Sequence, residues 1–352
     1  MGPETIAFEQ ELAEFLGARH VVTVNSCTSA LFLSLLVSGV RTGDEVICPS
    51  FTWCSSANAA VYAGARPVFC DIDSETLSVT PQSVLARLTP RTRAVVVVHF
   101  GGLAVDVEAL REALPAHVAI VEDAAHALGA RYPNGAPVGS SGNPCCFSFY
   151  ANKNLSTGEG GAVALGDAPA AQRIQSLRQH ALPLDAWKRF TQPQTMLLSG
   201  QLTELGYKMN YTDLQACIGR VQLRRQAEFA STRQKIAARY CAALGEMQPC
   251  IGMQRDCTTA RHALHLFVAM LPLEEMRSSR EEIILGMRER NIGATIHYAP
   301  LHTMPLYVNG GAPQSLPTTE RMAAKCVTLP ISASMTLADA DDVLDSFEAV
   351  YR

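Results

Sequence analysis

The sequence predicts an α/β protein with a mostly parallel, doubly wound central sheet in a large domain, followed by a smaller C-terminal α+β domain. The first observation is that short apolar runs alternate with helical patterns over the first half of the chain, as in βαβ units. The second is the run of four valines at 95–98, which is typical of a strand buried on both faces. The third is the length of 352 residues, which indicates about two domains.

The elements of the first domain are predicted from the period of their apolar residues. Strands are expected, in chain order, at residues 20–24, 45–49, 67–72, 93–100, 118–121 and 162–165. Helices are expected at residues 4–17, 30–37, 55–63, 105–114 and 168–180. A mixed, proline-containing stretch at 181–206 is expected to be a mobile loop near a site or an interface.

A long helix is predicted to join the two domains. It begins after the N-cap Thr212, continues to about Leu244 with a kink, and contains the domain boundary near residue 235. The domains are therefore expected to be 1–235 and 236–352. The elements predicted for the second domain are a strand at 263–271, a helix at 279–290, a short strand at 295–298, a helix at 316–328 and a final helix from 337.

Composition excludes several classes of protein. The net charge of −4 and the lack of basic runs argue against nucleic acid or an anionic membrane surface as a partner. No apolar stretch is long enough to span a bilayer, and the N-terminal residues lack the apolar core of a signal peptide. The 11 cysteines form no CxxC pair, so we expect no zinc ribbon, and free thiols without an export signal indicate a cytoplasmic location. His297, Tyr298 and His302 cluster within six positions, but no carboxylate or cysteine completes a ligand set, so we expect no metal site.

Lys153 is the first candidate for chemistry. It ends an apolar run that starts at Phe147, and a glycine-rich turn and a second apolar run follow it. A buried lysine has a low pKa and can act as a nucleophilic amine, which forms Schiff bases with carbonyl compounds and with pyridoxal 5'-phosphate (PLP). The alternative is a strand-end lysine whose ammonium group reaches solvent.

Three further positions follow predicted strands, where open α/β sheets bind ligands. Thr28 and Ser29 begin a helix and can hold a phosphate with its backbone N–H groups, or one of them merely caps the helix. Trp53 can stack on a flat ring, or it belongs to the core. Asp123 ends a strand, and its carboxylate needs a cationic partner if it is buried; the alternative is that it caps a helix. His126 follows three residues later and could share the same site, or it is a polar residue at a strand edge.

Taken together, these residues form the set that PLP needs. The phosphate cradle, the ring-stacking side chain, the strand-end carboxylate and the buried lysine follow one another along the chain. The lysine would bind the cofactor covalently, and the carboxylate would keep the pyridine nitrogen protonated. Each of these residues could occur at its position by coincidence, but coincidence is a poor explanation for all of them together in this order.

Six stretches carry a resemblance to a known family. They are NSCTSALFLSL at 25–35, GDEVICPSFTWCSSANA at 43–59, VEDAAHALGA at 121–130, FSFYANKNLSTGEGG at 147–161, GYKMNYTDLQACIG at 206–219 and IHYAPLH at 296–302. In them the sequence resembles the DegT/DnrJ/EryC1/StrS family of PLP-dependent sugar aminotransferases, which have the aspartate-aminotransferase-like fold type I. The resemblance covers nearly the whole chain.

The resemblance implies roles for individual residues. Lys153 would be the Schiff-base lysine and the acid/base of the proton shift, Asp123 the partner of the pyridinium nitrogen, and His126 a neighbour of the ring hydroxyl. The remaining implied contacts are ring stacking by Trp53, phosphate binding by Thr28, Ser29, Ser148 and the neighbouring subunit's copy of Asn210, and, more weakly, substrate contacts by His297, Tyr298 and His302.

The resemblance also implies a reaction. L-Glutamate, or glutamine, would convert bound PLP to pyridoxamine 5'-phosphate (PMP), and a keto group on a nucleotide-linked sugar would accept the amine. The enzyme would be a homodimer with shared active sites. Two alternatives stay open at this point: a cyclitol (inosose) aminotransferase that uses the same residues, and a non-catalytic PLP-fold regulator, which should have lost Lys153, Asp123 or Trp53.

Overall fold

The apolar runs of the first domain form one sheet in the computed structural model, which describes residues 1–182, 202, 204–308 and 314–351. Its strands are β1 (His20–Val24), β2 (Glu45–Pro49), β3 (Arg66–Cys70), β4 (Thr92–Val98), β5 (Ala119–Asp123), β6 (Cys145–Ser148) and β7 (Gly161–Leu165). They lie in the order β1-β7-β6-β5-β4-β2-β3. The pairings from β3 to β6 are parallel, and β7 is antiparallel to both its neighbours, so the predicted mostly parallel sheet is confirmed.

Helices cover both faces of this sheet. They are α1 (Pro3–Leu16), α2 (Cys27–Val37), α3 (Ser55–Tyr62), α4 (Pro81–Leu85), α5 (Val107–Ala113), α6 (Ala168–Leu177), α7 (Asp213–Arg224) and α8 (Gln226–Gly245). Because side chains alternate along a strand, Val95 and Val97 of β4 face the core beneath α1, α4, α5 and α7. Val96 faces the opposite core, beneath α2, α3 and α6. The valine run is buried on both faces, as predicted.

The predicted long helix is two helices that meet at a kink. α7 ends at Arg224 and α8 begins at Gln226, and the backbone of Arg225 between them leaves the helical region. Thr212 caps α7 as predicted, since its hydroxyl accepts the N–H of Gln215. Most of the predicted mobile loop, residues 183–201 and 203, lies outside the described residues. None of the helices in the described ranges is both long and apolar enough to cross a membrane.

The second domain is built on a small antiparallel sheet. Its strands β8 (Gly252–Met253), β9 (Phe267–Met270) and β10 (Cys326–Leu329) lie in the order β10-β9-β8. Its helices are α9 (Arg280–Glu289), α10 (Pro305–Val308), α11 (Pro317–Lys325) and α12 (Leu337–Tyr351). The three strands, α9, α12 and α8 enclose a separate apolar core that contains Tyr240, Phe267 and Phe347. The division at residue 235 falls inside α8 and stays a prediction.

Two elements predicted for this domain are wrong. The strand predicted at 295–298 is only a single bridge between Thr295 and Thr328. The helix predicted at 316–328 ends at Lys325, and Cys326–Leu329 forms β10 instead. The residues of β10 pair with β9 across the sheet, and this tertiary pairing outweighs their continuation of a helical pattern.

The register of the central sheet gathers several chain segments at one edge. Asp123 at the end of β5 pairs with Cys146 of β6. Ser148 at the end of β6 pairs with Gly161, and Gly161 also pairs with Val24 at the end of β1. The ends of β5 and β6 and the start of α2 therefore lie side by side. This is the edge at which α/β sheets bind their ligands.

A buried carboxylate holds β5 in place next to this edge. Glu122 has no solvent exposure, and each of its oxygens has two polar neighbours. Ser141 Oγ lies 2.5 Å and Asn143 Nδ2 2.9 Å from one oxygen, while Tyr132 OH lies 2.6 Å and His99 Nε2 2.9 Å from the other. Burial alone would raise the pKa of Glu122, but these hydrogen bonds lower it below the ordinary 4.5.

We predict that Glu122→Gln lowers the free energy of unfolding by about 3 kcal/mol, because the new amide nitrogen would face donors instead of acceptors in a dry site. Chemical denaturation at pH 7 measures the change, and Glu112→Gln on the exposed side of α5 is the matched control. Since the pKa of Glu122 is lowered, its contribution is present above pH 4.5 and is lost as the pH falls further. Equal stability of the two variants would contradict this.

Candidate active site

A cavity of about 490 Å³ opens at the edge where β5, β6 and the start of α2 meet. Both domains contribute to its wall, because the segment at 297–298 comes from the second domain. The predicted site residues that line it are Thr28, Trp53, Asp123, His126, Ser148, Lys153, His297 and Tyr298. Ser29, Asn210 and His302 were predicted with them but are not part of this lining.

Asp123 is a buried carboxylate at the floor of the cavity. Ser56 Oγ donates to its Oδ2 at 2.7 Å, and the backbone N–H of Ala125 donates to its Oδ1 at 3.2 Å. Within the described part of the chain, no lysine or arginine forms an ion pair with it. Burial raises the pKa of Asp123 above its ordinary 3.8, although the two hydrogen bonds and the charge of Lys153 oppose this. A ligand that brings a positive charge to this carboxylate would relieve the cost of burying it.

Lys153 lies in the turn that follows β6. The turn is closed by a hydrogen bond from the backbone N–H of Lys153 to the carbonyl of Tyr150 at 2.9 Å. Burial lowers the pKa of Lys153 below its ordinary 10.5, while the nearby Asp123 and Cys27 raise it in part. A lowered pKa increases the fraction of neutral amine, which is the nucleophilic form.

His126 has a defined tautomer in the wall of the cavity. Its Nδ1 accepts the backbone N–H of Gly101 at 3.3 Å, so the proton of the neutral ring lies on Nε2. This nitrogen lies 3.3 Å from the hydroxyl of Tyr298. Burial lowers the pKa of His126 well below its ordinary 6.5, and the charge of Lys153 lowers it further. His126 therefore presents a neutral N–H donor at physiological pH.

The start of α2 forms one end of the cavity. Ser26 is the N-cap, and its hydroxyl accepts the backbone N–H of Ser29 at 3.1 Å. The hydroxyl of Ser29 donates to Asn25 Oδ1 at 2.7 Å and is used within the turn. Thr28 Oγ1, which lies in the lining, is 2.9 Å from Ser55 Oγ. A helix start of this kind binds anions such as phosphate.

Gly161 permits the close packing of this helix start against β7. A methyl group at Gly161 would lie 2.7 Å from the backbone nitrogen of Cys27 and 2.7 Å from the carbonyl carbon of Ser26. Any larger residue would push the start of α2 away from the sheet.

Trp53 forms a flat, accessible wall of the cavity. Its side chain is 60% exposed, which is unusual for tryptophan, and its ring centroid lies 5.7 Å from that of Tyr298. A large aromatic surface exposed in a cavity is available for stacking on a ligand ring.

The second domain contributes His297 and Tyr298 to the lining. Nδ1 of His297 lies 2.9 Å from Thr328 Oγ1, and burial lowers the pKa of His297 to about 4, with a further contribution from Lys153. His297 is therefore neutral at physiological pH.

His302 and Asn210 lie elsewhere. His302 is buried, with Nδ1 2.7 Å from Ser50 Oγ and Nε2 3.2 Å from Glu320 Oε1. It links the second domain to the end of β2, and its predicted contact with substrate stays a prediction. Asn210 accepts a hydrogen bond from Lys208, outside the cavity of its own chain.

Sequence reasoning missed His265, whose Nε2 lies 3.3 Å from Lys153 Nζ. It lies 112 residues along the chain from Lys153, just before β9, and no local pattern marked it. Ser56, the hydrogen-bond partner of Asp123, was also missed, because it occurs within a helix of small residues.

Comparisons with known proteins agree with this geometry. The model of the DegT/DnrJ/EryC1/StrS aminotransferase family matches residues 1–348. The chain is 39% identical to the spore coat polysaccharide biosynthesis protein SpsC of Bacillus subtilis (strain 168), and the match covers 100% of this chain and 90% of SpsC.

Two solved structures have the same fold. DesV of S. venezuelae, solved in complex with a ketimine intermediate, is 34% identical with a TM-score of 0.88, over 100% of this chain and 90% of DesV. NtdA of Bacillus subtilis, solved with bound cofactor PMP, is 25% identical with a TM-score of 0.87, over 100% of this chain and 78% of NtdA. The predicted family, fold, enzyme class and cofactor are thus confirmed. The chain belongs to the DegT/DnrJ/EryC1/StrS aminotransferase family and is a PLP-dependent aminotransferase of fold type I.

Proposed function

We propose that this enzyme transfers the amino group of L-glutamate, or of glutamine, to a keto group of a nucleotide-linked sugar. The observation that carries the proposal is that Lys153 and Asp123 face the same cavity, one with a lowered and one with a raised pKa. Groups shifted in this way by burial are typical of catalytic sites. A regulator that had lost its activity would not need both.

Asp123 is assigned to the pyridine nitrogen of PLP. The carboxylate is buried and receives hydrogen bonds from the Ser56 hydroxyl, the backbone N–H of Ala125 and, at 4.0 Å, the Cys27 thiol, none of which carries a positive charge. A protonated ring nitrogen would supply the missing positive charge. PLP, when bound, supplies an electron-withdrawing ring that stabilises negative charge on the substrate carbon, and the protonated nitrogen strengthens this effect.

Lys153 is assigned as the residue that binds PLP covalently and moves the proton. Its side chain is half-buried. It is the only lysine or arginine side chain among the described residues of the cavity wall. Once the amino donor has taken its place, the free amine Nζ would act as a general base that takes a proton from the substrate carbon. It would then act as a general acid that delivers this proton to the second carbon centre.

The phosphate of PLP is assigned to the start of α2. The free backbone N–H groups of that helix, the hydroxyl of Thr28 and the hydroxyl of Ser148 surround this end of the cavity. Trp53 would then stack on the ring, and the N–H of His126 would point at the ring hydroxyl. Ser29 is predicted as a phosphate ligand, but its hydroxyl donates to Asn25 Oδ1, so we assign it an indirect role instead.

The substrate is assigned to the open side of the cavity, near His297 and Tyr298. Both are neutral and polar, which suits the hydroxyl groups of a sugar or a cyclitol. The relationship to a polysaccharide biosynthesis protein supports a sugar as the acceptor. An acceptor panel of nucleotide-linked keto-sugars and an inosose distinguishes the proposed reaction from cyclitol amination.

We further propose that the active enzyme is a homodimer with shared sites. The outer face of α7 carries Leu214, Ile218 and Val221, which are 82%, 50% and 50% exposed. Their spacing places them along one side of the helix, opposite the face that packs on the sheet. An exposed apolar stripe of this kind is typical of a protein interface. It begins four residues after Asn210, so a second chain at this surface would meet Asn210.

The cavity itself also needs another chain. Lys153 is the only lysine or arginine side chain within its described wall, yet a phosphate and the carboxylates of the amino donor must bind there. The partner's Asn210 and Lys208 would bring a hydrogen-bond donor and a positive charge to these anions.

The test of function is a reaction with PLP and glutamate. Wild-type protein should acquire a yellow absorbance band with PLP, and borohydride reduction should attach the cofactor to Lys153, as measured by peptide mass spectrometry. L-Glutamate should bleach the band. Lys153→Ala should acquire neither the yellow band nor the covalently attached cofactor. Lys235→Ala on the exposed side of α8 should behave like wild type. Cofactor attached to another lysine, or a band that neither glutamate nor glutamine bleaches, would contradict the proposal.

The phosphate assignment predicts a specific effect of Gly161→Ala. The methyl group would displace the start of α2 and raise the Kd for PLP by about tenfold or more, equivalent to about 1.4 kcal/mol. Absorbance titration measures the Kd. Gly245→Ala, where a methyl group meets no atom within 4 Å, should leave it unchanged. An unchanged Kd in Gly161→Ala would contradict the assignment of the PLP phosphate to the start of α2.

Mixed dimers test the shared site. Lys153→Ala and Asn210→Ala homodimers should each be impaired, the second through weaker PLP retention. Randomly mixed chains should regain about a quarter of wild-type activity, because half of the dimers carry one intact site out of two. Activity no higher than the average of the two parents would show that each site is built from one chain.

A further inference from the structure

We propose that His265 is a positioning residue for Lys153. The lone pair on Nε2 of His265 accepts a hydrogen bond from Nζ of Lys153 and so holds the amine toward the cavity. The inference deepens the proposed function and depends on the assignment of Lys153 made above. It adds a residue of the second domain to the machinery of a lysine that belongs to the first.

The contact between His265 and Lys153 lies within hydrogen-bond distance and is partly buried. His265 precedes β9 by two residues and is 7% exposed. Its Nε2 lies 3.3 Å from Lys153 Nζ, and its ring centroid lies 4.4 Å from that of His126. The side chain of Lys153, which starts from the turn after β6, therefore meets at its end a histidine that precedes the small sheet.

The tautomer of His265 follows from its other neighbour, Asn154. The amide nitrogen of Asn154 donates to the carbonyl of Ala263 at 2.9 Å, and this fixes the orientation of the amide. Asn154 Oδ1 then lies 3.3 Å from Nδ1 of His265. An amide oxygen is an acceptor, so Nδ1 carries the ring proton and Nε2 carries the lone pair. The lone pair faces the amine of Lys153.

The burial of His265 and the charged groups around it keep its ring neutral. Burial lowers the pKa of His265 well below its ordinary 6.5, and the positive charges of Lys153 and Arg233 lower it further. Lys153 itself has the carboxylate of Asp123 and the thiol of Cys27 as charged or titratable neighbours, in addition to the histidine pair.

The consequence concerns the direction of the amine. A lysine side chain has a flexible four-carbon stem, and a free amine at its end can point in many directions. A neutral amine has two hydrogens and one lone pair. When one hydrogen is donated to His265, the lone pair remains free for the cavity, and the stem is restricted to fewer rotamers. Nζ is then retained within reach of the substrate carbon while it is not bound to the cofactor.

The direct readout is the pH dependence of Lys153 acylation by acetic anhydride in the cofactor-free protein, followed by mass spectrometry. An acceptor at Nε2 favours the ammonium form of Lys153. His265→Leu removes it and should move the midpoint of the profile down by about one pH unit. His265→Gln places a carbonyl oxygen close to the Nε2 position and should keep the wild-type midpoint. The rate of the glutamate half-reaction should fall at least about tenfold in His265→Leu and recover in His265→Gln.

A further variant tests the proposal in case the His265→Leu protein does not fold. His265→Asn keeps a polar side chain that reaches Asn154 but is too short to reach Lys153, and it should behave like His265→Leu. Equal midpoints in all variants, or the same shift in His265→Gln as in His265→Leu, would overturn the proposal. Because the labelling uses no cofactor, its result is separate from the test of the proposed function, which fails if PLP attaches to another lysine or if neither glutamate nor glutamine bleaches the absorbance band.

Discussion

The burial of a carboxylate without a cationic partner is the constraint on which the site depends. Asp123 ends the central strand β5, is 6% exposed and receives hydrogen bonds from Ser56 and Ala125. Burial makes its ionised form costly, so the site gains most from a ligand that brings a positive charge to it. The ring nitrogen of PLP can carry that charge. In the proposed function, the position of Asp123 decides where the ring would lie, and hence which side chains would meet its other atoms.

The neighbouring carboxylate shows how the fold separates stability from chemistry. Glu122 and Asp123 are adjacent on β5, so their side chains leave the strand on opposite sides. Glu122 has two polar neighbours for each oxygen and needs nothing from a ligand. Asp123 has fewer and faces the cavity. Glu122, whose two oxygens are hydrogen-bonded within the protein, stabilises the strand, whereas Asp123 beside it can still bind a ligand.

Local patterns were enough to predict the part of the site that follows strands. Asp123, Lys153 and Trp53 all occur where an apolar run ends, and the parallel sheet brings those ends to one edge. His265 could not be predicted, because its contact with Lys153 depends on how the two domains pack. For the same reason β10 (Cys326–Leu329) was predicted as helix: its strand conformation comes from pairing with β9, a long-range interaction that periodicity does not report.

The measurement that tests the account most directly is the ¹⁵N chemical shift of PLP labelled at its ring nitrogen and bound to the protein. If the buried carboxylate of Asp123 controls the cofactor, the nitrogen should be protonated in the wild type at pH 7 to 8 and unprotonated in Asp123→Asn. An unprotonated nitrogen in the wild type, or a protonated one in both proteins, would contradict the central role given to Asp123.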